Sequence, residues 1–183
     1  MSYFQLWAPW RLEYLADQKV SQPAPAAAFS AEPPHPFCFL CKARDTSDDH
    51  GHWVVARFEQ CFVLLNRYPY NNGHLLVATF RHEGQLELLH REERAELAEV
   101  LAMMVELLKE TLRPEGFNVG LNLGVAAGAG VPGHLHWHVV PRWSGDTNFM
   151  PVIGHTKVIP QSLEALWCLL REQLPAVRAR HGL

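Results

Sequence analysis

The chain lacks a basic excess. Its 183 residues carry 16 Lys and Arg against 19 Asp and Glu, a formal charge of −3. No global positive field is therefore available to hold long nucleic acid. It also lacks long apolar runs, and none approaches the ~20 residues that cross a bilayer. The opening residues, Met1 to Trp7, have no basic region followed by an apolar stretch, so no secretory leader is expected. Cysteine is sparse: Cys38 and Cys41 form a Cys-x-x-Cys pair, while Cys61 and Cys168 stand alone. A cytoplasmic protein is expected, away from membranes. In that compartment a Cys-x-x-Cys pair suggests metal or redox chemistry more than a disulfide. Internal repeats are absent too. What is present, 48% hydrophobic and 19% charged residues, is ordinary globular composition of one-domain length.

The chain divides by composition into three parts. Residues 1–20 form an aromatic-rich arm, with LWAPWRLEYL at Leu6 to Leu15, too apolar to be loose. Residues 21–36 are Pro/Ala-rich and almost uncharged, and read as an extended linker. Residues 37–183 hold the patterned segments. Trp53–Phe58, Cys61–Asn66 and His74–Thr79 read as three strands in an antiparallel meander, with a turn cluster from Tyr68 to Gly73. A polar loop, Arg44 to Gly51, precedes them. From Leu86 to Leu112 the period changes, and Leu97, Val100, Leu101, Met104, Leu107 and Leu108 predict a long helix ended by Pro114 and Gly116. Phe117–Asn122 alternates as a fourth strand. A final helix is expected over roughly Gln161 to Leu174. The fold class is α+β, an antiparallel sheet of about five strands with a long helix and a C-terminal helix.

The fifth strand carries the chemistry. His134, His136 and His138 alternate with Leu135, Trp137 and Val139. Alternation places the three imidazoles on one face, neighbours about 7 Å apart, and the apolar residues on the other. Exposed sheet faces favour Thr, Lys and Glu, so a solvated ladder of three histidines is a poor account of them. Imidazole serves as nucleophile, proton carrier or metal ligand near neutral pH. Directly upstream, Gly124 to Gly133 holds four glycines in ten residues, a loop whose amides can converge on an anion, although a plain turn is equally served. Beside the histidines, the pattern suits a phosphorus centre attacked by an imidazole, with His136 as nucleophile through a phosphoramidate.

The Cys-x-x-Cys pair is half of a zinc site. Cys38 and Cys41 need two further ligands, with His82 and His134 as candidates, or else are two unpaired thiols in a turn. No βαβ context supports a thioredoxin-like role.

These residues resemble the histidine triad (HIT) family of nucleotide hydrolases and transferases. Its His-φ-His-φ-His-φ-φ signature, with φ apolar, reads here His134-Leu-His136-Trp-His138-Val-Val. The stretch Leu64 to Val77, LLNRYPYNNGHLLV, is similar to the family's ribose-binding strand, turn and Gly-His-x-Leu-Val strand. Within the family, LWAPWRLEYL, GFNVGLNLG and the tail PRWSGDTNF…VIGHTKVIPQ are most similar to bacterial diadenosine tetraphosphate phosphorylases. The resemblance implies a HIT-like fold and a homodimer. The implied reaction is nucleotidyl transfer or hydrolysis on a dinucleoside polyphosphate, through a nucleotidyl-histidine. The same nucleophile would serve a phosphoramidase or adenylyl-sulfate enzyme, and a non-enzymatic nucleotide-binding protein could keep the pocket. By resemblance His136 is the nucleophile, His138 and His74 bond around the phosphates, and His134 completes the triad. Asn66 meets the ribose, Leu64 and Phe62 border the base, and Asn122 with Gly128, Ala129 and Gly130 lines the phosphate track. A structural zinc would take Cys38, Cys41, His82 and His134, with no organic cofactor. Arg142 and His155 are candidates for phosphate contact or for packing, and Lys157 reads as a surface residue. Related hydrolases carry Ala-Gly-Gln in the glycine loop and phosphorylases Gly-Ser. Ala127-Gly128-Ala129-Gly130 has neither, which leaves both water and phosphate open as the second acceptor.

Overall fold

The computed structural model describes residues 38–156 and 158–183. The arm and linker expected over residues 1–36 lie outside that range, as does Lys157. Among the described residues, five strands form one antiparallel sheet in the order β1-β2-β3-β5-β4. They are β1 (Val54–Arg57), β2 (Cys61–Leu65), β3 (Leu75–Thr79), β4 (Gly116–Leu121) and β5 (His136–Arg142). The meander of the first three is as expected. The histidine strand then inserts beside β3 and leaves β4 at the edge. β2 and β3 are buried at every position. Both of their faces are covered, which is why CFVLL and LLVAT read as unbroken apolar runs.

Among the described residues there are four α-helices: α1 (Phe39–Asp45), α2 (Arg91–Leu112), α3 (Met150–Gly154) and α4 (Leu163–His181). One sheet face packs Val63, Leu75, Val77, Leu135 and Val139 against Leu97, Val100, Met104 and Leu107 of α2 and Leu166, Leu170 and Val177 of α4. The other face packs Phe62, Leu64, Leu76 and Ala78 under Leu40, Cys41 and Ala43 of α1. No described helix is long and apolar enough to cross a membrane.

The helix boundaries differ from expectation for local reasons. α2 starts at Arg91, not Leu86: the His90 amide donates to the Glu93 carboxylate at 2.7 Å, a capping arrangement, and Leu86–Leu88 is a separate 3₁₀ turn. α4 runs past Leu174 and through Pro175 to His181. An internal proline costs roughly 3 kcal/mol. Burial of Leu174 and Val177 on either side of it, and a left-handed Gly182 cap, hold the helix together across that cost. α1 replaces the start of the expected polar loop. Its first turn is capped by the Cys38 thiol, which accepts from the Cys41 amide at 3.5 Å.

Candidate active site and metal centre

The three histidines do not act as one array. β5 begins at His136, and His134 sits in the turn before it. His136 pairs across to Ala78 and His138 to Leu76, so both imidazoles rise from the face roofed by α1. Trp137 and Val139 turn the other way, into the core beneath α2 and α4. The expected alternation therefore holds from His136 onward.

His134 turns toward the cysteines. Its Nδ1 lies 3.4 Å from Cys38 Sγ and 3.5 Å from Cys41 Sγ, and His82 Nδ1 lies 3.1 Å from Cys41 Sγ. The His134 Nε2 is 2.7 Å from the Thr79 carbonyl, which can only accept. The proton of a neutral His134 is thus on Nε2, and the lone pair on Nδ1 faces the thiols. All four donor atoms of Cys38, Cys41, His82 and His134 fall within 4.8 Å of one another and all four residues are buried. Burial, then the Cys38 thiol beside it, pushes the Cys41 thiol up to about 12, while burial drops His134 to about 3. Protons are therefore held on sulfur, and this imidazole stays neutral with Nδ1 unprotonated. That donor set, two Cys and two His around one point, matches a tetrahedral zinc shell.

The other histidines form a chain of hydrogen bonds whose direction can be derived. The Tyr70 amide donates to His74 Nδ1 at 3.0 Å, and the Asn66 side-chain amide reaches the same nitrogen at 3.3 Å. A neutral His74 consequently carries its proton on Nε2 and donates it to His138 Nδ1 at 2.9 Å. The His138 proton is then on Nε2. His136 Nδ1 donates to the carbonyl of His134 at 2.8 Å, which leaves an unprotonated Nε2. Burial lowers His136 from its usual range, and burial, then His136, lowers His138 to about 4. Near neutral pH both rings are neutral, and one of them offers a lone pair.

A cavity of about 410 Å³ is lined in part by Asn66, whose side-chain amide reaches His74. Phe39, Lys42 and Ala43 of α1, the Gly51–Trp53 loop, Leu64 and Asn66 line it. Asn66 is placed by its own Oδ1, which accepts from the Tyr68 amide at 2.9 Å. Leu64 lines the cavity. Phe62 is wholly buried and packs on Phe80, ring centroids 5.4 Å apart. Asn122 follows β4 and reaches the Gly128 carbonyl at 3.5 Å. Gly128 is left-handed at φ 85° and Ala129 is buried. The amides of Ala127, Gly128 and Ala129 close the loop onto the Gly124 and Val125 carbonyls. Those three are committed within the turn, so the loop presents fewer amides to an anion than its glycine content suggests. Gly130 is exposed, and a side chain added there would meet open space. Arg142 is paired with Asp146 at 2.6 Å and with Asn118, and His155 is exposed at the end of α3.

Sequence reasoning passed over three contributors. Tyr70 lies with its ring 4.6 Å from His74 and 5.7 Å from His138. Asn71 pins the same turn to the Pro141 carbonyl at 3.0 Å and to Asp146 at 2.8 Å. Phe39 and the Gly51–Trp53 loop enclose the cavity. The only signal for the first two was polar and aromatic residues crowded into a turn.

A sequence profile of the HIT domain matches residues 50–145. A Mycobacterium tuberculosis protein named AP-4-A phosphorylase is 46% identical over 159 residues, spanning 87% of this chain and 78% of that one. The chain belongs to the HIT family. A zinc-bound histidine triad family protein from Mycobacterium smegmatis superposes with a TM-score of 0.62 at 26% identity, over 79% of this chain and 97% of that one. A Plasmodium falciparum diadenosine triphosphate hydrolase, 18% identical with a TM-score of 0.52 over 71% of this chain and 76% of that one, shares the fold. The HIT sheet, its long helix α2 and its C-terminal helix α4 are thus those expected.

Proposed function

We propose that this HIT protein transfers a nucleoside monophosphoryl group from a dinucleoside polyphosphate of the diadenosine tetraphosphate type to phosphate or water. The observation that carries the reading is the hydrogen bond from His136 Nδ1 to the His134 carbonyl, which frees Nε2 as a nucleophile. The likeness to the M. tuberculosis protein named AP-4-A phosphorylase supports the substrate class.

The cavity beneath α1 takes one nucleoside, with Asn66 on the ribose and Leu64 under the base. His136 Nε2 attacks the α-phosphorus. A P–N bond forms as the P–O bond to the remaining polyphosphate breaks, and that polyphosphate leaves as an anion with the electron pair. The imidazole becomes cationic, and its Nδ1–H bond to the His134 carbonyl strengthens accordingly. His138, low in pKa and aligned by His74, donates a hydrogen bond from Nε2 to the departing oxygen and keeps its proton. Phosphate or water then attacks phosphorus, the P–N bond breaks, and the lone pair returns to His136. Asn122 and the Gly128-Ala129-Gly130 turn border this track.

Cys38, Cys41, His82 and His134 would hold zinc. With four protein donors the ion supplies a structural cross-link between α1, the segment after β3 and the turn before β5. The paired free thiols agree with a reducing, cytoplasmic setting. A homodimer has support in the edge strand β4, where Asn118, Val119 and Gly120 are exposed; a monomer mass by sedimentation would remove that part.

The test is product analysis with diadenosine tetraphosphate, with and without inorganic phosphate. Phosphate-dependent ADP plus ATP identifies a phosphorylase, and AMP plus ATP a hydrolase. His136→Ala should keep the fold and lose turnover in both. Binding without any product would favour a nucleotide-binding role instead.

A further inference from the structure

Tyr70, on the turn that carries His74, is left unused by the reaction above. It is 55% exposed. A surface turn favours small or polar residues, and a large aromatic ring half in water there is not required by the core. Nor is the turn loose. Asn71 and Asn72 within it are buried, Asn71 donating to the Pro141 carbonyl and Asp146, and Asn72 donating to Gln161 at 3.3 Å. The Tyr70 amide is fixed on His74.

The Tyr70 ring lies nearly parallel to that of His138, 20° between planes at 5.7 Å, and 4.6 Å from His74. The imidazole pair takes part of the ring, and over half of the residue still faces solvent. A fixed π-face thus flanks His138, the group that faces the leaving oxygen.

A dinucleoside polyphosphate has two nucleosides. The cavity beneath α1, with its one Asn66, accommodates one of them; Tyr70 does not line it. The other must lie outside. We propose that Tyr70 forms the subsite for the departing half of the substrate, its ring stacking on the second nucleobase. Stacking is indifferent to base identity, because every base has a π-face. This subsite rests on the nucleotidyl-transfer reading. It selects dinucleoside over mononucleoside polyphosphates, with no demand on which second base is present.

The experiment compares diadenosine tetraphosphate with adenosine 5′-tetraphosphate, which has the same phosphates and no second nucleoside. Wild type is expected to favour the dinucleoside in kcat/KM by about tenfold, the scale of one base–aromatic stack. Tyr70→Leu should collapse that ratio toward one by raising KM for the dinucleoside, and Tyr70→Phe should preserve it. Equal losses on both substrates in Tyr70→Leu would mean that the ring only supports His138, and would overturn the subsite. A wild type labelled at His136 yet indifferent to the second nucleoside would overturn it as well, with nucleotidyl transfer left standing. Cleavage of neither substrate would remove both.

Discussion

At the scale of single residues, the site is organised by which nitrogen of each imidazole holds the proton. Two backbone groups decide it: the Tyr70 amide, which can only donate, and the His134 carbonyl, which can only accept. From these ends the tautomers of His74, His138 and His136 follow in turn. A pH dependence also follows. Burial, then His136, holds His138 at about 4, against an unperturbed value near 6.5. As pH falls below about 6.5 the unfolded chain takes up this proton first, so stability from this group is complete above that value and is lost on the way to about pH 4. The acid limb of kcat/KM should accordingly lie well below pH 6.5, and a limb at or above that pH would contradict a neutral His138. The sequence made these histidines conspicuous, but not their protons. Nor could it show that His134 leaves the strand, because the turn that redirects it is set by contacts to Thr79 and Cys38, 55 and 96 residues away in sequence.

Among the elements, α1 depends most on its surroundings. Seven residues are too few for a helix stable in isolation. Leu40, Cys41 and Ala43 pack on β2 and β3, and the Cys/His cluster ties the first turn of α1 to His82 and His134. Protein purified without chelator should contain about one zinc per chain. Cys38→Ser should lower the metal content and speed amide exchange over residues 39–45, with α2 and α4 protected as before. A wild type free of metal would contradict the centre, since its thiols would then sit protonated beside two imidazoles with nothing to bind. The long helix and the central strands were legible in sequence because their periods are strong: Leu97, Val100, Met104 and Leu107 for α2, unbroken apolar runs for β2 and β3. α1 was not legible, since its cap is a cysteine and its period spans two turns. The length of α4 was hidden by Pro175, where burial outweighs a helix-breaking residue.

On the scale of the whole domain, the sheet divides the work. The face toward α2 and α4 holds the larger core, with Leu75, Val77, Leu135 and Val139. The opposite face carries His136 and His138 in register with Ala78 and Leu76, and beyond them Phe62 and Leu64 of β2. A rigid core on one side thus sets the spacing of the reactive groups on the other, and α1 walls a cavity that meets the histidine chain at Asn66. The cavity was only partly legible: Leu64 and Asn66 could be placed in it from sequence, whereas the Gly51–Trp53 wall comes from a loop without a pattern. The central claim is that His136 Nε2 becomes bonded to phosphorus. Its most direct measurement is the intact mass of protein quenched in acid-free buffer after brief mixing with diadenosine tetraphosphate, followed by peptide mapping. One adenosine monophosphoryl group on the peptide containing His136, absent from His136→Ala and discharged by phosphate or water, is the predicted result. Turnover at the wild-type rate by His136→Ala, or an adduct on another residue, would contradict it.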